Sequence, residues 1–160
     1  MLVSFFESIK YVGHFWPIVF LRIYTGYYFL GQALTKIRGD FLERPIVVTS
    51  ISEWVPSSSA PEWYKSLMET MVPAHWQIFS YLVVCLLLFV GVSYLIGYMV
   101  RMASLAGLFL CLNGLLVSHL AQLPFEQLML AVVVTLGWVG AGRCLGLDYF
   151  FYKKRRGLWW

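Results

Sequence analysis

Five polar side chains lie near the same ends of the apolar segments of this chain and could together bind a polar ligand. They are Lys36, His75, His119, Gln122 and Glu126. Lysine and glutamine donate hydrogen bonds, an ionised glutamate accepts them, and histidine can exchange a proton near neutral pH. Such a set can hydrogen-bond a carbonyl group. The alternative is that these are ordinary polar residues at helix ends.

A second polar set lies toward the opposite ends of the same segments and is mainly cationic. It consists of Arg22, Arg101, Arg143 and Asp148. An arginine within an apolar segment needs a counter-charge or a route to water. We predict that Arg22 pairs with Asp148, with Arg143 competing for the carboxylate. Binding of an anionic headgroup or substrate by the arginines is the alternative.

Familiar signatures of enzyme chemistry are missing from the sequence. It contains no metal-binding, nucleotide-binding or nucleophile motif. The three cysteines, Cys85, Cys111 and Cys144, are scattered without a C-x-x-C spacing and are interpreted as small apolar filler. We therefore expect neither a metal nor a covalently bound cofactor.

Residues 79–121 form the stretch that must position both polar sets. Arg101 is the one formally charged residue in it, and each half is long enough to cross a bilayer core as a helix. In lipid, every backbone polar group must be hydrogen-bonded within the segment. The stretch therefore predicts a helical hairpin with its turn at residues 97–101.

Composition indicates one integral membrane domain. The chain has 160 residues, of which 60% are hydrophobic and 12% charged, and its mean hydropathy is +0.72. This leaves too few polar residues to cover a soluble domain. The net charge of +4 does not indicate nucleic-acid binding, because five of the basic residues lie in a tail at residues 143–160. The lipid bilayer is the expected partner.

The apolar pattern predicts an antiparallel bundle of four transmembrane helices. The spans are expected at about 15–37, 75–98, 102–121 and 125–141, with an amphipathic extracytoplasmic loop at 38–74. That loop carries three basic and five acidic residues, whereas Lys10, Arg101 and the tail lie on the other side. The positive-inside rule then places both termini in the cytoplasm. Residues 2–13 suit a retained helix at the membrane surface.

Residue spacing assigns faces to three of the expected helices. In the first span one face is expected to point into the bundle, with snorkelling as the alternative for Arg22 and Lys36. That face comprises Arg22, Thr25, Phe29, Gln32 and Lys36. The third span carries small residues that allow close packing. They are Ala103, Gly107, Cys111, Gly114, Ser118 and Ala121. In the loop, residues 61–73 predict an amphipathic helix with Trp63, Leu67, Met68 and Met71 on one face.

Several short motifs resemble the DoxX/DoxD group of small four-helix membrane proteins, in which DoxD is the small subunit of thiosulfate:quinone oxidoreductase. Residues 22–26 (RIYTG), followed by Lys36, resemble the first span of that group, and Gly91, Gly97 and Arg101 resemble the end of its second span. The sequence PEWY at 61–64 and VPAH at 72–75 resemble the loop of the DoxD branch. Asn113, GAGR at 140–143 and Asp148 extend the resemblance.

The chain departs from the group at two positions. The group usually has a glutamate in the second span about four residues before the glycine that Gly91 matches, and Leu87 stands there. Ala33 replaces a common glycine in the first span. An intramembrane carboxylate is a natural proton relay, so the first departure concerns any proton-coupled role.

The resemblance implies a membrane subunit of a quinone-linked electron-transfer complex, which could oxidise a sulfur compound. Quinone is then the expected ligand of the first polar set, another subunit the expected partner, and a prokaryotic cytoplasmic membrane the expected location. The alternative is a non-catalytic scaffold or assembly factor that binds a partner through the loop and the small-residue face. A transporter is disfavoured because the sequence shows no inverted repeat or broken helix. Homo-oligomerisation remains open.

Overall fold

The computed structural model describes residues 16–56, 58, 60–117 and 123–143. Within them the protein has six α-helices, a final 3-10 turn and no strand, which confirms the all-helical class. The elements are α1 (Trp16–Arg38), α2 (Ile46–Trp54), α3 (Glu62–Ala74), α4 (Trp76–Ile96), α5 (Val100–Val117), α6 (Leu123–Val139) and the 3-10 turn Ala141–Arg143. The predicted surface helix at 2–13 and most of the basic tail lie outside the described residues.

Two of the described helices, α4 and α5, are long and apolar enough to cross a membrane by length and composition. Their mean hydropathies are 2.4 and 1.8. The shorter α6 is also apolar. Large apolar side chains on α1, α4, α5 and α6 are exposed on the outside of the packed helices. A water-soluble protein rarely exposes so many, whereas lipid is a suitable solvent for them.

Left-handed residues end the apolar helices at one end of the packed structure. Gly97 follows α4 with φ +73° and donates its backbone N–H to the Ser93 carbonyl, and Met99 has φ +51° before α5 begins. The predicted hairpin turn at 97–101 is therefore present. Gly140, with φ +64°, ends α6 in the same way. We call the end that holds these two turns the turn end.

The helices α1 and α4 form the closest helix pair. A Cβ atom on Gly26 would lie 2.9 Å from the Leu95 backbone nitrogen, and one on Gly91 would lie 2.8 Å from the Leu30 backbone nitrogen. Residues that follow one another along α1 thus meet residues in reverse order along α4, so the two helices are antiparallel. Two glycines let their backbones come this close.

The helices α5 and α6 also pack antiparallel, and α4 joins this pair to α1. A Cβ on Gly107 would lie 3.1 Å from a Val133 methyl group, and one on Gly137 would lie 2.7 Å from the Ser104 Cβ. Ala103, Gly107 and Cys111 are buried, as the small-residue face predicts. Positions 118 and 121 of that face lie outside the described residues.

The loop between α1 and α4 folds into a cap made of α2 and α3, and we call its end of the bundle the cap end. The Tyr64 hydroxyl of α3 donates a hydrogen bond to the Asn113 side-chain oxygen of α5 at 3.0 Å. Val55 and Val72 are buried beneath the cap. The Asn113 amide nitrogen donates to the Phe109 carbonyl, which fixes its orientation toward the tyrosine.

The apolar face of α3 was expected to lie on the membrane or on the bundle top, and it is not the face that packs on the bundle. Its buried residues are Tyr64 and Val72, which lie eight positions apart on one row of the helix. Trp63, Leu67 and Met71 belong to the neighbouring row and are 68%, 43% and 54% exposed. The prediction counted apolar residues alone, whereas the tyrosine row faces inward because its hydroxyl finds a partner on α5.

Candidate functional site

A half-open cavity of about 610 Å³ lies between the helices at the cap end. Helices α1, α4, α5 and α6 all contribute to its lining, and Trp54 at the end of α2 adds a wall from the cap. Most of the lining is apolar or aromatic, including Phe29, Leu110, Phe125 and Met129. Its ionisable and amide side chains are therefore few, and each has a defined position. Among the described residues they are Tyr28, Gln32, Lys36, Glu126 and the thiol of Cys111.

Helix α1 supplies three of these polar groups from a single row. Tyr28, Gln32 and Lys36 follow one another at intervals of four residues, which places them on one face of a helix. The Tyr28 hydroxyl and the Gln32 side chain are close enough to interact. Phe29 and Ala33, on the adjacent row, are buried in the core and fix the rotation of the helix. The packing of α1 thus aims its polar row at the cavity.

Lys36 stands at the cap-side entrance of the cavity. Its Nζ atom lies 4.2 Å from the centre of the Phe41 ring, and that ring is buried in the turn that follows α1. This cation–π contact holds the ammonium group in place. An ammonium group has three donors, and the ring face engages it without supplying a lone pair. The group can therefore still donate a hydrogen bond to a ligand oxygen.

Helix α6 supplies the one carboxylate that lines the cavity among the described residues. Glu126 lies in the first turn of α6, and its side chain reaches across to α5. A Cβ on Gly114 would lie only 2.8 Å from its Oε2 atom, so the glycine provides the room that the carboxylate occupies. Glu126 is also close enough to Tyr28 and Cys111 to interact with them electrostatically.

Lys36 and Glu126 line the same cavity but do not contact each other. The ion pairs among the described residues are two surface contacts, Arg44 with Asp40 and Lys65 with Glu62. A cation with donors and a carboxylate acceptor are thus held apart across an apolar space. The arrangement suits a flat apolar ligand with oxygen atoms at both ends. The volume is within the usual range of about 300–1,000 Å³ for small-molecule sites.

The structure brings two of the five predicted residues of the first polar set together, Lys36 and Glu126. His75 lies exposed at the junction of α3 and α4 and does not line the cavity. His119 and Gln122 lie outside the described residues, so their place in the set stays a prediction.

Sequence reasoning missed the contributions of Tyr28 and Trp54 to the cavity. The interval of four residues back from Lys36 was the available signal for Tyr28. Nothing in the sequence marks Trp54, because the fold of the cap brings it there.

The second polar set converges on the turn that follows α6. Arg22 is 2% exposed, and its Nη1 atom donates to the Ala141 carbonyl at 2.7 Å. Together with buried Thr25 and Phe29, it confirms three of the five positions of the predicted inward face of α1, whereas Gln32 is exposed and Lys36 partly buried. The snorkelling alternative is wrong for Arg22. The backbone of Arg143 lies in the same turn. Asp148 lies outside the described residues, and its pairing with Arg22 stays a prediction.

Arg101 approaches this turn from the start of α5. Its Nε and Nη2 atoms lie 3.3 and 3.4 Å from the place that a Cβ on Gly140 would take. The guanidinium group therefore lies against the Gly140 backbone, and the missing side chain leaves room for it. Two arginine side chains, those of Arg22 and Arg101, thus lie at the turn end.

Metal binding has no support in the described part of the chain, where no group of three or more histidine, cysteine or acidic side chains could hold an ion.

Comparison with known proteins gives one match. The model of the DoxX family matches residues 18–120, which cover α1 from its third residue and all of α2 to α5, and therefore Arg22, Lys36, Leu87 and Arg101. No curated protein and no solved structure matches the chain. Glu126 and the rest of α6 lie beyond the matched range.

Proposed function

The chain belongs to the DoxX family of membrane proteins, and on that premise we propose that it is a quinone-binding membrane subunit of an electron-transfer complex. The observation that carries the proposal is the cap-end cavity, in which Lys36 and Glu126 face one apolar space without pairing. Oxidation of a sulfur compound by the assembled complex is the finer proposal and rests on the resemblance to the DoxD branch alone.

The proposed topology has four spans, with both termini in the cytoplasm and the cap outside. Helix α1 has 23 residues and α6 has 17, which correspond to about 35 and 26 Å at 1.5 Å per residue. A bilayer core is about 30 Å thick, so α1 is long enough to cross it, whereas the 17 residues of α6 are at the lower end of the range of about 17–25 residues for a membrane-spanning helix. The positive charges of the turn end and of the tail favour the cytoplasmic side. A prokaryotic cytoplasmic membrane is proposed on the resemblance.

Glu126 can supply the carboxylate that is missing at position 87. Leu87 lines the cap-end cavity, so a glutamate there would point its carboxylate into the same space. In this chain Glu126 brings a carboxylate into that space from α6 instead. We infer that the acidic residue of this cavity lies on α6 in this chain, whereas the DoxX/DoxD group usually has it in the second span.

The residues of the cavity fit a quinone ring. Lys36 and Gln32 can donate to one carbonyl oxygen, Glu126 can accept from a hydroxyl at the opposite side, and Phe29 and Phe125 supply aromatic walls. A bound quinone supplies the capacity to take up electrons and protons. The protein binds and orients the ring, excludes water with its apolar walls, and holds a proton acceptor at Glu126.

The binding test uses the purified full chain in detergent and a short-chain ubiquinone as the probe. Trp54 lines the cavity, so the quinone should quench its fluorescence, and subtracting the signal of Trp54→Phe isolates that quenching. Lys36→Met and Glu126→Gln should each weaken binding about tenfold, since a hydrogen bond to a charged group contributes about 1.5–3 kcal/mol. Glu43→Gln in the exposed loop is the matched control. Equal affinities in all four proteins would reject a quinone site in this cavity.

The topology test labels single cysteines from outside the cell in a background without the native cysteines. Ser66 is exposed on α3 and Arg155 lies in the tail. Ser66→Cys should react with an impermeant maleimide, and Arg155→Cys should react only after the membrane is opened. Ser58 is a poorer site for the label, because its side chain is buried and donates to the Val55 carbonyl. The opposite pattern would invert the proposed orientation.

The second candidate function is a scaffold or assembly factor that binds a partner through the loop. The exposed row Trp63, Leu67 and Met71 on α3 favours it, because apolar residues outside the membrane spans often mark a docking surface. The small-residue face of α5 does not serve this role, since Gly107 packs on Val133 within the chain. Loss of co-purifying subunits in Trp63→Ser, with quinone binding unchanged, would favour the scaffold.

A further inference from the structure

A groove between α5 and α6 opens to the outside of the bundle at the turn end and is separate from the cap-end cavity. Its volume is about 500 Å³. Buried Ser104 and Val133 form its floor, where Gly137 lets the two helices come close. Its sides are Leu105, Leu108, Val134 and Trp138. Trp138 is 86% exposed, so it projects from the rim toward the surrounding medium.

The groove has a cation at one end and apolar walls along the rest. Arg101 lies at the start of α5 and Leu108 lies seven residues further along, which corresponds to about 10 Å along the helix axis. The groove therefore runs from the turn end toward the middle of the bundle. This is the direction in which a lipid chain lies when its headgroup is at the membrane surface.

Charge at the turn end favours an anion. The guanidinium groups of Arg22 and Arg101 lie there, and buried Arg22 donates to the Ala141 carbonyl. Arg101 is half-buried and lines one end of the groove, where a guanidinium group can donate to a phosphate. Basic pockets between transmembrane helices on the cytoplasmic side commonly hold anionic headgroups.

We propose that this groove binds a phospholipid with an anionic headgroup. Its phosphate lies on Arg101, and one acyl chain lies between α5 and α6 along Leu105, Val134 and Trp138. The site goes beyond the proposed quinone function, because it is at the opposite end of the bundle and shares no residue with the cap-end cavity. Lipid composition of the cytoplasmic leaflet would then set the stability of the α5–α6 pair.

The test measures thermal unfolding of the full chain in a neutral detergent with added phosphatidylglycerol or phosphatidylcholine of identical acyl chains. Phosphatidylglycerol should raise the Tm more than phosphatidylcholine does. Arg101→Gln should weaken phosphatidylglycerol binding about tenfold, as expected for loss of a charge-assisted contact. Arg101→Lys should keep part of the preference. Arg38→Gln removes an exposed cation at the cap end and should leave the preference unchanged.

A second pair of variants tests the part of the groove that would bind the acyl chain. Val134→Trp places a large side chain in the groove and should weaken binding of phosphatidylglycerol. Val92→Trp makes the same substitution at a comparably exposed position on α4, since the two valines are 46% and 43% exposed, and should have no effect. Native mass spectrometry of the same proteins would count retained lipid directly.

Several outcomes would overturn the proposal. Equal Tm shifts with the two lipids would show that the groove has no site for an anionic headgroup. An unchanged preference for phosphatidylglycerol in Arg101→Gln would show the same. An equal shift with sodium phosphate would assign the arginine to a soluble anion instead of a lipid. Unchanged phosphatidylglycerol binding in Val134→Trp would show that the acyl chain does not lie in the groove. Each readout is independent of quinone binding, so failure here leaves the cap-end proposal intact.

Discussion

Replacing Gly91 with alanine should separate α1 from α4. The new Cβ atom would lie 2.8 Å from the Leu30 backbone nitrogen and 3.0 Å from its Cα. Both are backbone atoms, so no change of rotamer can relieve the overlap. The helices must move apart along the most extensive contact in the fold, and every side chain between them then loses packing.

The expected loss follows from two opposing terms. Overpacking of a core costs about 1–3 kcal/mol, and often more when backbone must shift. Alanine in place of glycine stabilises a helix by up to about 1 kcal/mol through its higher helix propensity. We therefore expect the free energy of unfolding to fall by about 1–2 kcal/mol. At about 2–4 °C per kcal/mol for a chain of this size, the Tm should fall by several degrees.

Gly31→Ala is the matched control in the same helix pair. A Cβ on Gly31 meets nothing within 4 Å, so only the helix-propensity gain remains and the Tm should stay constant or rise. The assay is thermal unfolding of detergent-solubilised protein, followed by circular dichroism. Gly26→Ala should add less to Gly91→Ala than it costs alone, because the helices have already separated. If Gly91→Ala is as stable as Gly31→Ala, the close approach is not a source of stability.

Three further predictions concern the site, the cap and the turn end. Gly114→Ala should displace the carboxylate above it and weaken quinone binding, while costing little in Tm, because a side-chain end can move by a few tenths of an ångström. Tyr64→Phe should cost about 1 kcal/mol by removing its hydrogen bond and should speed proteolysis of the cap. Burial raises the pKa of the Tyr64 phenol, so its contribution is full below the ordinary value of about 10 and is lost as the pH rises through the raised value. Asp148→Asn should lower the Tm and Arg22→Gln should partly restore it, whereas additive losses would show that the two are not coupled.

The sequence alone predicts the helical membrane class because that class depends on local properties. In lipid, the backbone N–H and C=O groups of a long apolar segment find hydrogen-bond partners only within the segment, so a helix follows from the composition. The turns at Gly97 and Gly140 were also predictable, since glycine takes a left-handed conformation without strain. The inward face of α1 followed from the spacing of Arg22, Thr25 and Phe29.

The candidate site was only partly predictable, because a cavity is a property of several helices at once. Lys36 and Glu126 could be placed near the same end of the bundle by counting residues along their helices. That Gly114 makes room for the carboxylate depends on the rotation of α5 against α6, and no pattern within one helix records that rotation.

Only the tertiary structure decided which face of α3 is buried and which glycines bring helices together. The loop sequence offers two apolar rows of similar size, and the bond from Tyr64 to Asn113 selects between them across a separation of 49 residues. Gly31 and Gly91 look alike in sequence, yet only the second faces a neighbouring backbone. The physical reason is the same in both cases: local sequence fixes the helix and its rows, whereas the partner of each row is fixed by packing among distant segments.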